Sequence, residues 1–329
     1  MTREKLEPRP GPLAPTEATA AREEGAEAEE AVSDAQRKTT SRRELARNPR
    51  FEQVSPEVGE VDESAVAEGM NDDPDETLGL IADLTAATDP KLRELARRLA
   101  GRLFLDLSRR GPTRPRGTGK MQEQPYRPDG GDLDIDASME AIVDAGGARG
   151  RSGLDVERLR VRGWVQPGTA LCLLVDRSGS MGGKPLAASA VAAAAVAWRC
   201  PSDYSVLAFG KDVVAAKSQD IEKSGERVVN DVLSLRGFGT TDLAGALRAA
   251  AQQLERSRAG RKITILLSDC RATVDGDPVA AAAGLSELLI IAPDGDDEEA
   301  RAFARRTGAK LTTVSGPSAI ADAIARILD

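Results

Sequence analysis

Residues 171–181 read LCLLVDRSGSM, and this stretch decides the fold. Its first five residues are apolar without a break, which is typical of a strand buried on both faces of a parallel sheet. The polar residues that follow, Asp176-Arg177-Ser178-Gly179-Ser180, then form the loop at the carboxyl end of that strand. Ligands of open parallel sheets bind at this end. The stretch therefore predicts both a fold class and a candidate site.

The alternation of strands and helices continues from residue 168 to the end of the chain. Apolar runs predict further strands at 204–209, 263–267, 288–291 and 310–314, and a possible edge strand at 213–217. Segments with helical spacing separate them, at 185–199, 225–235, 242–257, 296–307 and 318–328. This alternation predicts an α/β fold, with a doubly wound, mainly parallel sheet of six strands covered by helices on both faces.

The N-terminal half predicts a different organisation. Residues 1–72 are rich in Glu, Ala, Arg, Pro and Ser, and we expect them to be mostly disordered because they cannot bury enough apolar surface to offset chain entropy. Residues 73–110 predict a helical segment, with a helix start at Thr88-Asp89-Pro90. Residues 111–167 are expected to form a linker and a short extension, in which 132–145 could be strand or helix and 156–165 a strand.

Arginines populate the second predicted helix of that segment: Arg93, Arg97, Arg98, Arg102, Arg109 and Arg110. One interpretation is a solvated basic face on a docked helix. The other is a docking surface for an acidic partner or for the acidic N-terminal tail.

Composition excludes several classes of function. The net charge of -8 argues against a general nucleic-acid binder, which needs a basic surface. The chain has no His, so Ser-His-Asp hydrolysis and His-ligated zinc are excluded. Gly117-Thr118-Gly119-Lys120 resembles the end of a phosphate-binding loop, but Met121 stands where Ser or Thr is required. We therefore predict no nucleotide site in this chain.

The cysteines and the apolar runs bear on the compartment. Cys172, Cys200 and Cys270 are widely spaced and form no C-x-x-C pair, so we expect free thiols in a reducing cytoplasm. The charged, Pro-rich N-terminus does not resemble a signal peptide. The longest apolar stretch, 186–198, is too short to span a bilayer. The expectation is a soluble cytoplasmic protein without a membrane partner.

Three loops at predicted strand ends or helix starts could together hold a metal ion. Asp176 and Asp269 offer carboxylates, while Ser178, Ser180 and Thr241 offer hydroxyls. All are hard oxygen ligands, which suit Mg²⁺ or Mn²⁺ in octahedral geometry. If the carboxylates act through bound waters, the ion stays electrophilic on its open side, and an acidic group of a partner protein would complete its shell.

Each of these residues also has an ordinary structural interpretation. Asp176 and Ser178 could cap the helix that begins near Lys184, and Thr241 could cap the helix predicted from Asp242. Another hypothesis keeps the predicted fold but assigns no metal ion to these residues. The acidic run at 296–299 is expected to complement a helix dipole and to hold no metal.

With these residues in place, the chain resembles von Willebrand factor A (VWA) domains over residues 168–329. LCLLVDRSGSM is similar to their first strand and to the loop of the metal-ion-dependent adhesion site. Asp176, Ser178 and Ser180 match that motif, Thr241 in GTTDLAGAL matches the family's single Thr, and Asp269 matches the last ligand. Magnesium chelatase D subunits, which LLSDCRAT resembles, usually have Gly where this chain has Cys270.

The resemblance also implies a role. Bacterial proteins of the CoxE-like group commonly work beside MoxR-type AAA+ ATPases, so it implies a non-enzymatic adaptor that captures an acidic residue of such an ATPase or its client. The motor would act in trans, because this chain has no Walker motif. The alternative is a chelatase D-like subunit of a AAA+-driven metal-insertion enzyme, although the N-terminal half lacks the αβ pattern that such subunits usually carry.

Overall fold

The computed structural model describes residues 39–109, 120–125, 132–146, 159–165, 168–177, 182–235, 237 and 239–328. In chain order the helices are α1 (Arg42–Leu45), α2 (Phe51–Val54), α3 (Glu63–Asp72), α4 (Pro74–Leu84), α5 (Pro90–Ser108), α6 (Ile135–Gly146), α7 (Gly183–Arg199), α8 (Gly225–Ser234), α9 (Leu243–Glu255), α10 (Pro278–Ala282), α11 (Glu298–Thr307) and α12 (Ile320–Leu328). The strands are β1 (Lys120–Pro125), β2 (Asp132–Leu133), β3 (Arg160–Val165), β4 (Thr169–Asp176), β5 (Tyr204–Phe209), β6 (Val213–Lys217), β7 (Arg261–Leu267), β8 (Glu287–Pro293) and β9 (Lys310–Val314).

The C-terminal part contains the predicted six-stranded sheet, in the order β6-β5-β4-β7-β8-β9. Its strands pair in parallel, except that β6 runs antiparallel to β5 at the edge. The doubly wound, mainly parallel architecture predicted from the sequence is confirmed. Strand β4 lies between β5 and β7, so its carboxyl end is flanked by the loops that follow both neighbours.

The central strands are buried on both faces, as their unbroken apolar runs predict. Along β4, Leu171, Leu173 and Val175 join one hydrophobic cluster. The alternate residues Ala170, Cys172 and Leu174 join a second cluster on the other face. Helices α7, α8 and α12 cover the first face, and α9, α10 and α11 cover the second.

The expectation that residues 1–72 are mostly disordered is wrong for the part that the structure describes. Helices α1 to α3 occupy much of 42–72, and Leu45, Phe51, Val54 and Val66 are buried. These few apolar residues suffice because they join the first-face cluster and need no core of their own. Residues 1–38 lie outside the described residues.

Helices α4 and α5 form a second layer on the first face of the sheet. Leu78, Ile81 and Phe104 are fully buried in the cluster that also contains β4 and α7. Asp89 accepts from the amide of Lys91, and Pro90 occupies the first turn of α5, as the sequence predicts. The helical segment therefore shares one core with the sheet.

The second layer explains the composition of α7. Ala190 and the run Ala192–Ala193–Ala194–Ala195 are fully buried, since this helix has the sheet on one side and helices on the other. A helix that is apolar all round is a buried helix. Small side chains let the neighbouring helices approach closely: a Cβ added to Gly79 of α4 would lie 3.1 Å from the backbone nitrogen of Lys184.

The extension before the sheet is a small structured unit. Strands β1, β3 and β2 form an antiparallel three-stranded sheet in that order. The open assignment of 132–145 resolves into a short strand, β2, followed by α6. The Gly117-Thr118-Gly119 part of the loop that resembles a phosphate-binding loop falls outside the described residues.

The described arginines of α5 and its end all contact groups of this chain. Arg93 and Arg97 donate to backbone carbonyls, Arg98 and Arg102 pair with Glu94 and Glu63, and Arg109 pairs with Asp106. Arg110 lies outside the described residues. These contacts favour the interpretation of a solvated face.

Cys172, Cys200 and Cys270, all among the described residues, form no disulfide, as expected, and Cys172 and Cys270 are buried. Across the described ranges, no helix combines the length and the apolar character needed to cross a bilayer.

Candidate metal centre

Asp176 lies at the carboxyl end of the central strand β4, where the sequence places it. Its Oδ2 accepts a hydrogen bond from the Ser268 hydroxyl at 2.5 Å. The same Ser268 oxygen accepts from the amide of Cys270 at 2.9 Å. Ser268 follows β7, so one hydroxyl orients the Asp176 carboxylate and ties the end of β4 to the loop after β7. This role of Ser268 was not predicted from the sequence.

Asp269 occupies that same loop, next to Ser268. Its Oδ1 accepts from the amide of Arg271 at 2.9 Å, and its side chain is 21% exposed. Nη2 of Arg271 forms an ion pair with Asp296, while Nη1 of the same guanidinium lies 3.9 Å from Oδ2 of Asp269. The Asp269 carboxylate is thus held in place but remains open to solvent on one side.

Cys270 adopts a backbone conformation that favours glycine, with φ of +65°. Cys270 stands where the resemblance to magnesium chelatase D subunits leads one to expect Gly, and the loop has the left-handed conformation that Gly favours. Burial raises the pKa of the Cys270 thiol to about 12, with smaller contributions from the nearby carboxylates of Asp269 and Asp176.

Thr241 is buried just before α9, with 1% of its surface exposed. Its amide donates to the Thr273 hydroxyl at 2.7 Å, and its carbonyl accepts from the amides of Thr273 and Val274. The amide of the next residue, Asp242, donates to the carbonyl of Gly210, directly after β5. The Thr241 segment is thus tied to the loops that follow β5 and β7, the two strands that flank β4.

Three of the five predicted ligands, Asp176, Thr241 and Asp269, therefore lie at one edge of the sheet. Ser178 and Ser180 fall outside the described residues, so their placement stays a prediction. Within the described ranges, no group of three or more Asp, Glu, Cys and His side chains could hold a metal ion. A metal at this edge would thus depend on hydroxyl ligands beside the two carboxylates.

The capping interpretations account for neither Asp176 nor Thr241. Helix α9 is capped by Asp242, whose side chain accepts from the amide of Gly245. Helix α7 has Gly182 at its cap position, and its Gly183 amide donates to Asp83. Neither Asp176 nor Thr241 therefore occupies the cap position of these helices.

The acidic run at 296–299 lies at the start of α11. Glu298 and Glu299 occupy its first turn, and Asp297 pairs with Arg301. The Arg301 side chain holds the pKa of Asp297 below its usual range.

Arg177 was not among the predicted site residues, although it is adjacent to Asp176. Arg177 follows Asp176 and is almost fully buried, with 1% of its surface exposed. Its amide donates to the carbonyl of Phe209, and its guanidinium donates to the carbonyl of Asp212 at 3.3 Å. Arg177 thus fixes the chain between β4 and β5 at the point where the Asp176 loop begins.

A cleft of about 300 Å³ opens beside the two carboxylates. The residues that line it include Asp176, Ser268 and Asp269, together with residues of α7 and of the turn at 315–317. Much of its lining is apolar, including Ala188, Leu267, Val314 and Ile320.

The donor set fits a hard divalent cation. Two carboxylates converge on the carboxyl edge of the sheet, and each is oriented by a hydrogen bond. Carboxylate and hydroxyl oxygens suit Mg²⁺ or Mn²⁺, and two negative charges balance one divalent ion.

Comparison with known proteins supports the fold and identifies the family. The family model of VWA domain containing CoxE-like protein matches residues 108–321. A search of curated proteins gave no match.

Several solved structures align with about half of the chain. A von Willebrand factor type A protein from Catenulispora acidiphila is 15% identical over 51% of this chain and 43% of its own, with a TM-score of 0.40. Proximal thread matrix protein 1 from the mussel byssus, with a zinc occupied MIDAS motif, is 14% identical over 49% of this chain and 46% of its own, with a TM-score of 0.36. Manganese-loaded TRAP protein from Plasmodium vivax is 18% identical over 47% of this chain and 71% of its own, with a TM-score of 0.38.

The aligned region thus spans less than half the length of the Catenulispora and mussel proteins. The family match, by contrast, runs from the end of α5 into α12 and includes all five predicted ligands. The chain belongs to the family of VWA domain containing CoxE-like proteins.

Proposed function

We propose that this protein is a non-enzymatic adaptor that binds a divalent metal, Mg²⁺ or Mn²⁺, and uses it to capture an acidic group of a partner protein. The observation that supports the proposal is that Asp176 and Asp269 line one cleft at the carboxyl edge of the sheet, with Ser268 donating a hydrogen bond to the Asp176 carboxylate. Ser178 and Ser180 would complete the protein's share of the coordination shell.

The bound metal would supply an electrophilic centre for a carboxylate that the protein alone would repel. Asp176 and Asp269 would hold the ion, and the Thr241 hydroxyl would add a neutral ligand. Without the metal, the two converging carboxylates disfavour an acidic partner by like-charge repulsion. Partner capture should therefore depend on the ion.

The adaptor role is favoured over catalysis by what the sequence offers. The chain has no His, the commonest general base of enzymes, and no Walker motif. Family membership supports a MoxR-type AAA+ ATPase, or its client, as the partner in the bacterial cytoplasm. The chelatase D-like alternative is less favoured, since the described part of 39–109 is helical and lacks the αβ alternation of an AAA+ module.

Affinity capture of the AAA+ ATPase encoded near this protein's gene tests the proposal. Wild-type bait should retain the ATPase with Mg²⁺ and release it with EDTA, and Asp176→Ala bait should fail to retain it. Asp106→Ala, which removes an exposed carboxylate on α5, is the matched control and should behave like the wild type. Equal recovery by the wild type and Asp176→Ala, with and without EDTA, would contradict the proposal.

A further inference from the structure

The cleft beside the candidate metal centre combines carboxylate and apolar groups in one lining. Asp176, at the end of β4, and Asp269, in the loop after β7, both contribute to it. Helix α7, the ends of β7, β8 and β9, and the start of α12 with the turn before it contribute its apolar members, which are Pro185, Ala188, Leu267, Pro293, Val314, Pro317 and Ile320. A ligand that enters this cleft would therefore contact apolar side chains close to two predicted metal ligands.

Two of these apolar residues are less buried than their neighbours along the chain. In β7, Leu266 is fully buried, whereas Leu267, the last residue of the strand, is only partly buried. In α7, Ala188 is partly buried, although Ala187 and Ala190 are fully buried. Apolar surface that stays accessible inside a concave site, beside a few polar groups, is typical of a ligand pocket. The cleft therefore has the composition of a binding site as well as its shape.

Helix α4 holds two of the segments that line the cleft. Asp83, near the end of α4, accepts a hydrogen bond at 2.9 Å from the amide of Gly183, at the start of α7. Asp75, in the first turn of α4, accepts at 2.8 Å from the amide of Ser318, directly after the lining residue Pro317. Both segments are thus fixed by one helix, and a cleft that is already formed loses less conformational freedom when a ligand enters.

Metal binding would give the cleft the charge that an acidic ligand requires. One divalent ion balances the two negative charges of Asp176 and Asp269. The Lys184 side chain, which also lines the cleft and is 50% exposed, adds a positive charge. Its ion pair with Glu76, at 3.2 Å, is partly exposed to solvent and therefore weak. The metal-loaded cleft thus suits a ligand that carries both a carboxylate and an apolar group.

We infer that the cleft binds an apolar side chain that neighbours the captured acidic residue of the partner; this inference rests on the metal-dependent capture proposed above. The recognition segment of the partner would then place a Leu, Ile, Val or Met beside its Asp or Glu. The cleft volume of about 300 Å³ lies at the lower end of the range for ligand pockets, roughly 300–1,000 Å³, so a side chain of this size would occupy it and a whole helix would not. The metal would select for negative charge, and the cleft would select among acidic segments.

Two carboxylates of different length probe the cleft directly: acetate, and 4-methylpentanoate, which adds a branched alkyl chain like that of Leu. Saturation-transfer NMR measures their binding to the full-length protein loaded with Mg²⁺. Each methylene group that leaves water should strengthen binding about fourfold, so 4-methylpentanoate should bind about tenfold or more tightly than acetate. Removal of the metal with EDTA should abolish the binding of both.

Ala188→Phe tests whether this preference comes from the cleft, because the larger side chain would occupy it. The variant should bind the two carboxylates with nearly equal affinity. It should also retain the Mg²⁺ affinity of the wild type, since no predicted ligand changes. Ala67→Phe is the matched control: it makes the same substitution at an exposed position of α3 and should keep the preference for 4-methylpentanoate.

The outcomes separate this inference from the proposed function. A wild-type protein that takes up no Mg²⁺ contradicts the metal function and, with it, the inference. Mg²⁺ uptake without a preference for 4-methylpentanoate, or a preference that persists in Ala188→Phe, overturns the inference and leaves the metal function standing. If Ala188→Phe shows no cooperative melting, Leu267→Ala decides, because it removes apolar lining and adds no bulk. A weaker preference in that variant supports the inference, and an unchanged preference overturns it.

Discussion

The two faces of the central sheet are built differently, although both are buried. On the first face, α7, α8 and α12 lie beneath a second layer formed by the N-terminal helices. On the second face, α9, α10 and α11 form a single layer. The N-terminal helices therefore cover one side of the VWA domain and share its core.

The two faces also anchor the candidate metal centre in different ways. The Thr241 segment is fixed by a hydrogen bond from its amide to the Thr273 hydroxyl, 32 positions away. The loop that contains Asp269 is fixed by the hydrogen bond from the Cys270 amide to the Ser268 hydroxyl. On the first face, Gly183 at the start of α7 is held by Asp83, 100 positions away.

The largest effect is expected from removing a core side chain of the second layer. Phe104 of α5 is fully buried, and Phe104→Ala should lower the free energy of unfolding by about 3–5 kcal/mol. Because the two layers share one cluster, urea denaturation should show a single transition at a lower midpoint. Phe303→Ala on the second face provides the matched comparison and should cost a similar amount.

Val58→Ala serves as the control for both, since Val58 is 72% exposed and its truncation should change stability little. If Phe104→Ala melted α5 in a separate early transition and left the sheet unchanged, the single shared core would be contradicted.

The next effect concerns the Ser268 hydroxyl, which links Asp176 at the end of β4 to the loop after β7. Ser268→Ala removes the hydrogen bond to Asp176 and leaves the Cys270 amide without that acceptor. Divalent metal affinity should fall about tenfold, because the Asp176 carboxylate loses its orientation. Ser268→Thr keeps a hydroxyl and should retain more of the affinity, as measured by calorimetric titration with Mn²⁺. If Ser268→Ala binds Mn²⁺ as tightly as the wild type does, Ser268 has no role in orienting Asp176 for metal binding.

A smaller effect is expected at Cys270, on the second face. A non-glycine residue in the left-handed conformation costs roughly 1–2 kcal/mol. Cys270→Gly should therefore be more stable than Cys270→Ala by about 1 kcal/mol, since both lose the thiol and only the glycine relieves the backbone. Paired chemical denaturation of the two variants measures the difference. Greater stability of the alanine variant would contradict the strained conformation.

A pH-dependent effect is expected at the opposite end of the sheet, where Lys217 donates to the carbonyl of Tyr204. Burial lowers the pKa of the Lys217 ammonium to about 8 from its ordinary value of 10.5, although Asp203 and Asp220 favour the charged form. Between those pH values the unfolded chain binds more protons than the folded chain, so stability from this group rises with pH.

Denaturation of the wild type and Lys217→Met at several pH values between 8 and 10 checks this expectation. The free energy of unfolding of the wild type should rise relative to that of the variant across the window. Parallel curves for the two proteins would show that Lys217 keeps its ordinary pKa.

The sheet and its helices could be predicted from sequence because local patterns and buried strands agree. The runs at 204–209, 213–217 and 310–314 coincide with β5, β6 and β9. The apolar character of β5 reflects burial on both faces, whereas the edge strands β6 and β9 are only partly buried. Asp176 and Asp269 could be predicted to lie at one edge because parallel strands bring their carboxyl ends together, whereas Thr241 was predicted from the helix start that it precedes.

The N-terminal helices could not be predicted in the same way. Phe51 and Val54 stand among charged residues, and their burial depends on a surface supplied by distant parts of the chain. The signal that could have indicated a second layer was α7, whose alanines leave it without a polar face. The pairing of Asp83 with Gly183 depends on tertiary packing and has no local signature.

The central claim is that oxygen ligands from separate loops bind one hard cation, and isothermal titration calorimetry of the full-length protein with Mg²⁺ and Mn²⁺ tests it most directly. The account predicts uptake of one ion per chain by the wild type and its loss in both Asp176→Ala and Asp269→Ala. A wild-type titration with neither ion bound, or uptake that persists unchanged in both variants, would contradict it.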